Sequence, residues 1–322
     1  TSVSSTPTST TAYATAWDAF VSDAVSGQGT TLRGTWVYFP WSGVLAHMLG
    51  EAEYFALRTN RNQYLVTREE QKQLRDACTG FIGLSVGSNI ASALVYAGIG
   101  SHMKLADFDA LDTSNLNRIR WRVSEIGVPK VELVARQVLD ADPFITVFPY
   151  MGGVTEDTLM DFVTGSPRPQ LLFEIIDSFV MKVQIRKLAR EARIPVIMVT
   201  NLGDRVLIDL ERYDLDPKTP FFNGRAGGVP DEMLASPDTT PEQKHAYAVA
   251  LAGKEHIPRR ALKSVAEIGK TLVGRPQLMS TVTVAAGFCT YLTRKIILGD
   301  AVAGSWLIDL ETIFSSDSSF LL

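Results

Sequence analysis

Residues 81–130 constrain the fold more than any other stretch of the chain. Phe81-Ile82-Gly83-Leu84 is an apolar run that breaks into a small-residue turn at 85–89, after which Ile90, Ala93, Leu94 and Ala97 recur at helical spacing. Gly98 and Gly100 stop that helix where a left-handed residue is needed. Residues 103–108 then read as a second buried strand, with Asp107 and Asp109 at its tip. Strand, tight turn, helix and strand make a βαβ unit, so the two strands are expected to be parallel and the crossover right-handed.

Such a unit aims the backbone N–H groups of the turn and of the first helical turn at one point, where the helix dipole adds positive charge. Gly83, Ser85 and Gly87 border that point, and a phosphate suits it; the other reading is an ordinary strand–turn–helix with no ligand. Serines stand at two places where the dinucleotide fingerprint has glycine. Asp107 is 24 positions beyond Gly83, where the ribose hydroxyls of a nucleotide are expected. Ser114-Asn115-Leu116-Asn117-Arg118 follows, and Lys130 lies further on. Arginine grips phosphate through two parallel hydrogen bonds and lysine as a point charge.

The run DFDALDTSNLNR (107–118) resembles the nucleotide signature of the ThiF/MoeB superfamily, the ATP-dependent adenylyltransferases that include the ubiquitin-activating enzymes. The usual form is D-x-D-x-(V/I)-x-x-S-N-L-(N/Q)-R, and Leu111 is the one departure. Gly127-Val128-Pro129-Lys130 matches the G-x-P-K that follows it. The resemblance implies ATP and Mg²⁺ as cofactors, with Gly83, Ser85, Gly87, Asp107, Asp109, Asn115, Arg118 and Lys130 around the nucleotide. A strand over 171–176 ends in Glu174-x-x-Asp177-Ser178, which resembles the family's D-x-x-D-N, whose second aspartate is a metal ligand. Asp177 carries over as the Mg²⁺ ligand, Ser178 replaces the usual Asn, and an N-cap role for Asp177 on the next helix is compatible with both. In the family an arm ahead of the first strand carries an arginine into the neighbouring subunit's site. Arg61, in R-T-N-R-N-Q (58–63), stands at the matching place, the alternative being a solvent-exposed arginine.

Along the rest of the chain, residues 1–33 read as a flexible tail, with a short helix over 12–25 as an option, and 34–78 as an aromatic-rich arm with helices over 43–58 and 68–77. The aromatic cluster is expected to cover a core or a partner. Thr67-x-x-Glu70 is a capping box for the second helix. The nucleotide-binding core spans 79–210. Its helix from Pro129 buries Val131, Val134, Ala135, Val138 and Leu139 and leaves Lys130 off that stripe; strands are expected at 146–150, 171–176, 195–200 and 205–210, and helices at 156–163 and 179–192. A crossover, substrate-facing segment at 211–277 follows, and 278–322 holds a closing apolar helix at 282–298, an edge strand at 306–310 and a dimer contact. Alternating strands and helices predict an α/β, doubly wound, mostly parallel Rossmann-like sheet.

Composition excludes several function classes. A net charge of −4 argues against a DNA or membrane-surface binder, and no apolar run reaches the length of about eighteen residues that a membrane span needs. Cys78 and Cys289 form no C-x-x-C pair and read as packing residues in a reducing cytoplasm; no Cys lies in 211–277, where ubiquitin-activating members carry a thioester-forming one. The four histidines show no metal-ligand or triad spacing.

The resemblance therefore implies a cytoplasmic, homodimeric ATP-dependent adenylyltransferase that activates a carboxylate on a peptide, a protein C-terminus or a small molecule and releases pyrophosphate. Arg61, Arg118, Lys130 and Asp177 would be its catalytic groups. A non-catalytic partner subunit and a tRNA-modifying dehydratase-like member stay open beside it, and a nicotinamide dehydrogenase ranks third.

Overall fold

The computed structural model describes residues 34–230, 232 and 240–313. The option of a helix over 12–25 lies outside them. The chain divides between Asn60 and Arg61 into two units. In the first, β1 (Thr35–Phe39) pairs antiparallel with β2 (Val44–Met48), and α1 (Glu51–Arg58) follows. The sequence suggested one helix over 43–58; its first part is instead a strand. Pro40-Trp41-Ser42-Gly43 is turn chemistry, Gly43 takes φ +67°, and the hairpin register sets Thr35 opposite Met48 and Phe39 opposite Val44. Trp36 meets His47 across the pair with tilted rings 4.6 Å apart, yet Trp36 and Tyr38 remain 58% and 60% exposed.

The second unit opens with α2 (Arg68–Arg75), capped as the sequence indicates: the Thr67 hydroxyl accepts from the Glu70 N–H at 3.1 Å, and the Thr67 N–H donates to Glu70 Oε2 at 2.8 Å. There follow β3 (Cys78–Ile82), α3 (Gly87–Tyr96), β4 (His102–Ala106), α4 (Lys130–Ala141), β5 (Thr146–Tyr150), α5 (Glu156–Thr164), β6 (Leu171–Glu174), α6 (Phe179–Glu191), β7 (Val196–Leu202) and β8 (Arg205–Glu211). After them come α7 (Pro241–Ala252), α8 (Arg259–Ser264), α9 (Met279–Ile297) and β9 (Gly304–Asp309). Cys78, expected just ahead of the first core strand, is that strand's first residue.

The sheet order is β5-β4-β3-β6-β7-β8-β9. The first five strands are parallel, and β8 and β9 close the sheet antiparallel. Strands buried on both faces read as unbroken apolar runs, and neighbouring residues here point to opposite layers. Phe81 and Phe173 stack at 4.7 Å in the layer with α3, α4 and α9, whereas Ile82 and Leu172 pack with Phe162 of α5 and Ile185 of α6. No helix among the described residues is long and apolar enough to cross a membrane.

One charged cluster lies inside this core. Arg186 of α6 donates from Nη1 to Glu174 Oε2 at 2.8 Å, and its Nε sits 2.8 Å from Glu211 Oε2; all three side chains are fully buried. Lys182 Nζ holds the other oxygen of Glu174 at 2.6 Å. Burial opposes the charge on Glu174, but the Lys182 and Arg186 cations hold its carboxyl below the usual range. Burial pushes Glu211 up to about 7 against the pull of Arg186, and the Tyr213 hydroxyl and Phe222 N–H both donate to its Oε1. Removing the shared cation leaves Glu211 buried without a counter-charge and Glu174 with Lys182 alone, so Arg186→Met is expected to lower the free energy of urea unfolding by about 3–5 kcal/mol. A loss under about 1 kcal/mol would mean that the cluster contributes no more than a surface pair.

Candidate nucleotide-binding site

The strand order reverses between β3 and β6, and the chain leaves both strands into the same crevice. Glycine is required at the first exit. Gly83 takes φ +96°, and a Cβ there would lie 2.2 Å from the Ile175 carbonyl oxygen. That close approach lets the Ile175 N–H reach Ile82 O at 2.8 Å, and the Gly83 N–H reaches Ala106 O at 2.9 Å. Gly87 is under no such constraint, since a Cβ there meets only ordinary contacts at 3.6 Å.

Two adjoining cavities open at this point. One, of about 260 Å³, is lined by Gly83, Asp107, Phe108, Gly153, Val154 and Met181. The other, of about 250 Å³, is lined by Asn115, Arg118, Lys182, Asn201, Arg275 and Gln277. Ser85, Asp109, Lys130, Ile175, Ile176 and Asp177 border both. The structure thus brings together every nucleotide-site residue proposed from the sequence except Gly87, which sits at the start of α3, and Arg61.

Each is held by its own local geometry. The Asp107 carboxylate accepts from the Leu84 N–H at 2.7 Å and from the Asp109 N–H at 2.9 Å; burial raises its pKa and the nearby Lys130 lowers it. Backbone bonds from Leu111 to Val128 and from Lys130 to Asp109 clamp the two ends of the 112–126 loop together. Within the loop, Asp112 caps the turn 113–115, and Asn115 Oδ1 accepts from the Asp112 N–H at 3.2 Å. Arg118 Nη1 donates to Ser114 O at 3.1 Å and to Asn117 Oδ1 at 2.8 Å, which leaves its Nε buried without a partner. Burial lowers the Arg118 pKa, though a guanidinium stays protonated at any neutral pH. Ser85 Oγ is likewise buried and unpaired. Orphaned polar atoms in a cavity are what a bound polyanion would satisfy.

Two expectations are corrected, for Lys130 and for Asp177. Lys130 is not on the open side of α4: it is 5% exposed, and Nζ donates to Asp109 Oδ2 at 2.6 Å, because the ladder to Asp109 turns the helix start inward. Asp177 does not cap α6; Ser178 does, accepting from the Met181 N–H at 3.4 Å. The Asp177 side chain is instead 87% exposed at the cavity rim and ion-paired with Arg275. Arg61 sits exposed in the turn Asn60–Asn62 and lines neither cavity.

Sequence reasoning missed Lys182, Asn201, Arg275 and Gln277. The E-x-x-D motif pointed to the neighbourhood of Lys182, whereas Arg275 lies 98 positions from its partner with no local signature. Cys78 and Cys289 are buried free thiols; burial pushes Cys78 up to about 11 and also raises Cys289, so neither is a ready nucleophile. Among the described residues no group of three or more side chains is arranged to hold a metal on its own.

The ThiF family model matches residues 58–302. The chain belongs to the ThiF family. Among curated relatives, the uncharacterized protein MT1398 of Mycobacterium tuberculosis (strain CDC 1551 / Oshkosh) is 34% identical over 82% of this chain. The tRNA threonylcarbamoyladenosine dehydratase of Bacillus subtilis is 25% identical over 49%, and the molybdopterin-synthase adenylyltransferase of Salmonella typhimurium 28% identical over 40%. The matched region covers 36%, 64% and 51% of those three relatives. Two solved structures share the fold. PaaA has a TM-score of 0.55 at 19% identity, covering 80% of this chain and 77% of its own. The Escherichia coli tRNA N6-threonylcarbamoyladenosine dehydratase TcdA has a TM-score of 0.54 at 18% identity, covering 78% and 98%.

The crevice of this ThiF-family chain depends on one glycine and not on the other. Gly83→Ala adds a backbone clash to a left-handed conformation and is expected to cost about 2 kcal/mol or more. Gly87→Ala, on a helix and in open packing, should be neutral or slightly stabilising. Thermal melts of the two variants make the comparison, and equal melting temperatures would remove the steric requirement at Gly83.

Proposed function

We propose that this chain is an ATP-dependent adenylyltransferase that joins AMP to a substrate carboxylate as an acyl-adenylate and releases pyrophosphate. The observation that carries the reading is the convergence of Asp107, Asn115, Arg118, Lys130 and Asp177 on adjoining cavities at the reversal of strand order. Asp107, held by two backbone N–H groups, is placed to accept from ribose hydroxyls. Arg118, Lys130 and Asn115 face the polyphosphate. In-line attack by the carboxylate oxygen on the α-phosphorus breaks the bond to the pyrophosphate, and the developing negative charge lies among these cations. Positioning and charge neutralisation supply most of such catalysis.

A single exposed carboxylate, Asp177, fits Mg²⁺, which usually binds through one or two carboxylates and the phosphates rather than a cage of protein ligands. Bound there, the metal would neutralise phosphate charge; Asp177 becomes available to it once Arg275 moves off the carboxylate. Both thiols are buried, so the acyl-adenylate is not handed to a cysteine of this chain. The proposed setting is the cytoplasm. The two alternatives, a tRNA-directed dehydratase and a partner subunit without turnover, have support in the curated dehydratase relative and in Ser178 standing where the family has Asn.

Exchange of labelled pyrophosphate into ATP, driven by C-terminal peptides, N-acylated amino acids or tRNA, tests the reading and separates the three. Asp177→Ala is expected to reduce exchange about a hundredfold or more, while a non-hydrolysable ATP analogue still binds without Mg²⁺. The pair it makes with Arg275 is solvent-exposed, so little stability is lost. Undiminished exchange would remove the metal role from Asp177.

The exposed position of Arg61, outside its own subunit's cavities, leaves it free to act in a partner. We assign it to the neighbouring site of a homodimer. Arg61→Ala and Asp177→Ala should each be inactive, and a refolded mixture should regain activity, because each heterodimer holds one intact site. Heterodimers that form yet stay inactive would end the assignment.

A further inference from the structure

A short irregular run, Arg275-Pro276-Gln277, leads towards α9 and lines the cavity that holds Arg118, Lys130 and Asp177. Proline at 276 biases the residue before it to an extended backbone. Two contacts tie the run to the site. Asn117 Nδ2 donates to Gln277 O at 2.8 Å, while Oδ1 of the same Asn117 accepts from Arg118, and the Arg275 guanidinium pairs with the Asp177 carboxylate. The run therefore bridges the 112–126 loop and the residues that follow β6. Its two ends differ. Downstream, the Leu278 carbonyl accepts from the Thr281 hydroxyl at 3.0 Å and is built into the first turn of α9. Upstream, Val273 is 87% exposed and a Cβ on Gly274 would meet nothing within 4 Å, so Arg275 can swing without disturbing the core.

The charges decide where it can swing to. Lys130 is held by Asp109 and Lys182 by Glu174, and both lysines are buried. Arg275 is half-exposed, and its pair with Asp177 lies in solvent at the cavity rim, so breaking it costs little. Asp177 is also the carboxylate that fits Mg²⁺. Given to the metal, it no longer neutralises Arg275, and the anion left for that guanidinium in the same cavity is the polyphosphate. Arginine takes two phosphate oxygens at once through parallel hydrogen bonds, as it does two carboxylate oxygens, and the polyphosphate carries more charge.

We propose that Arg275 is a phosphate-binding residue that changes anions: it rests on Asp177, where the structure shows it, and passes to the β- and γ-phosphates of ATP when that carboxylate binds Mg²⁺. The 275–277 run then closes on the nucleotide only when metal and polyphosphate arrive together. This rests on the adenylation reading of the same cavity. It adds a cation supplied from the segment between β8 and α9, outside both contiguous motifs of the site.

Calorimetry on the full chain in Mg²⁺ compares AMP, which lacks the outer phosphates, with α,β-methylene-ATP. Arg275→Ala should weaken the ATP analogue about tenfold or more and leave AMP within about twofold, with Arg275→Lys falling between. The side chain is half-exposed, so both variants are expected to fold; circular dichroism checks this, and Arg275→Lys carries the comparison if Arg275→Ala fails it. Amide hydrogen exchange of the 271–278 stretch reads the resting contact. Asp177→Asn should speed it in the protein alone, and the analogue with Mg²⁺ should slow it in the wild type but not in Arg275→Ala. An analogue bound equally or more tightly by Arg275→Ala overturns the proposal, because Arg275 would then be only a tie to Asp177. So does an equal loss for AMP, which a purely structural role would give, and so does hydrogen exchange that Asp177→Asn leaves unchanged. Failure of the analogue to bind the wild type overturns the nucleotide reading instead.

Discussion

The buried cluster of Glu174, Lys182, Arg186 and Glu211 is the interaction on which the crevice depends. It joins the last residue of β6, two turns of α6 and the last residue of β8 through buried contacts, of which only the Lys182 end borders the cavity. Bringing such charges out of water is expensive unless each finds its counterpart, so these elements tolerate very few relative positions. The constraint reaches the site directly. Glu174 Oε1 also accepts from the Ile176 N–H at 3.1 Å, which fixes the turn that presents Asp177, and Lys182 lines the cavity from the other side.

The same cluster organises the segment after β8. Phe222 places its N–H on Glu211 and its ring 3.9 Å from the Arg186 guanidinium, while Arg190 lies 3.9 Å over Phe221. Phe222 and Asn223 both take positive φ to make these contacts, a conformation that costs energy for a bulky residue. From there Tyr247 and Leu251 of α7 pack against Val183 and Met198. The apolar side of the cavity is therefore continuous with the charged core.

Much of this was legible in the sequence, for reasons that differ by element. The β3–α3–β4 unit could be read because buried parallel strands write an unbroken apolar run, and the α2 capping box is a four-residue signature. The crevice residues were found because 107–118 and 174–178 are contiguous motifs. Long-range geometry was not legible. Nothing local to Lys130 says that its amide pairs with Asp109 and draws the side chain inward, and nothing near Arg275 names Asp177 as its partner. The hairpin at 35–48 was lost to an apolar run, Val44 to Met48, that fits a helix or a strand until its partner is known.

The strand β5 ends the sheet on one side, and its fourth residue is Pro149. The Thr146 N–H points inward to Ser101 O, so by the two-residue period of a strand the nitrogen of Pro149 faces outward. A foreign strand adding to this margin would meet a position with no hydrogen to donate and a ring in its way. The parallel end of the sheet is thus guarded against templated growth by strand addition, the step that would otherwise let one copy's margin nucleate a fibril.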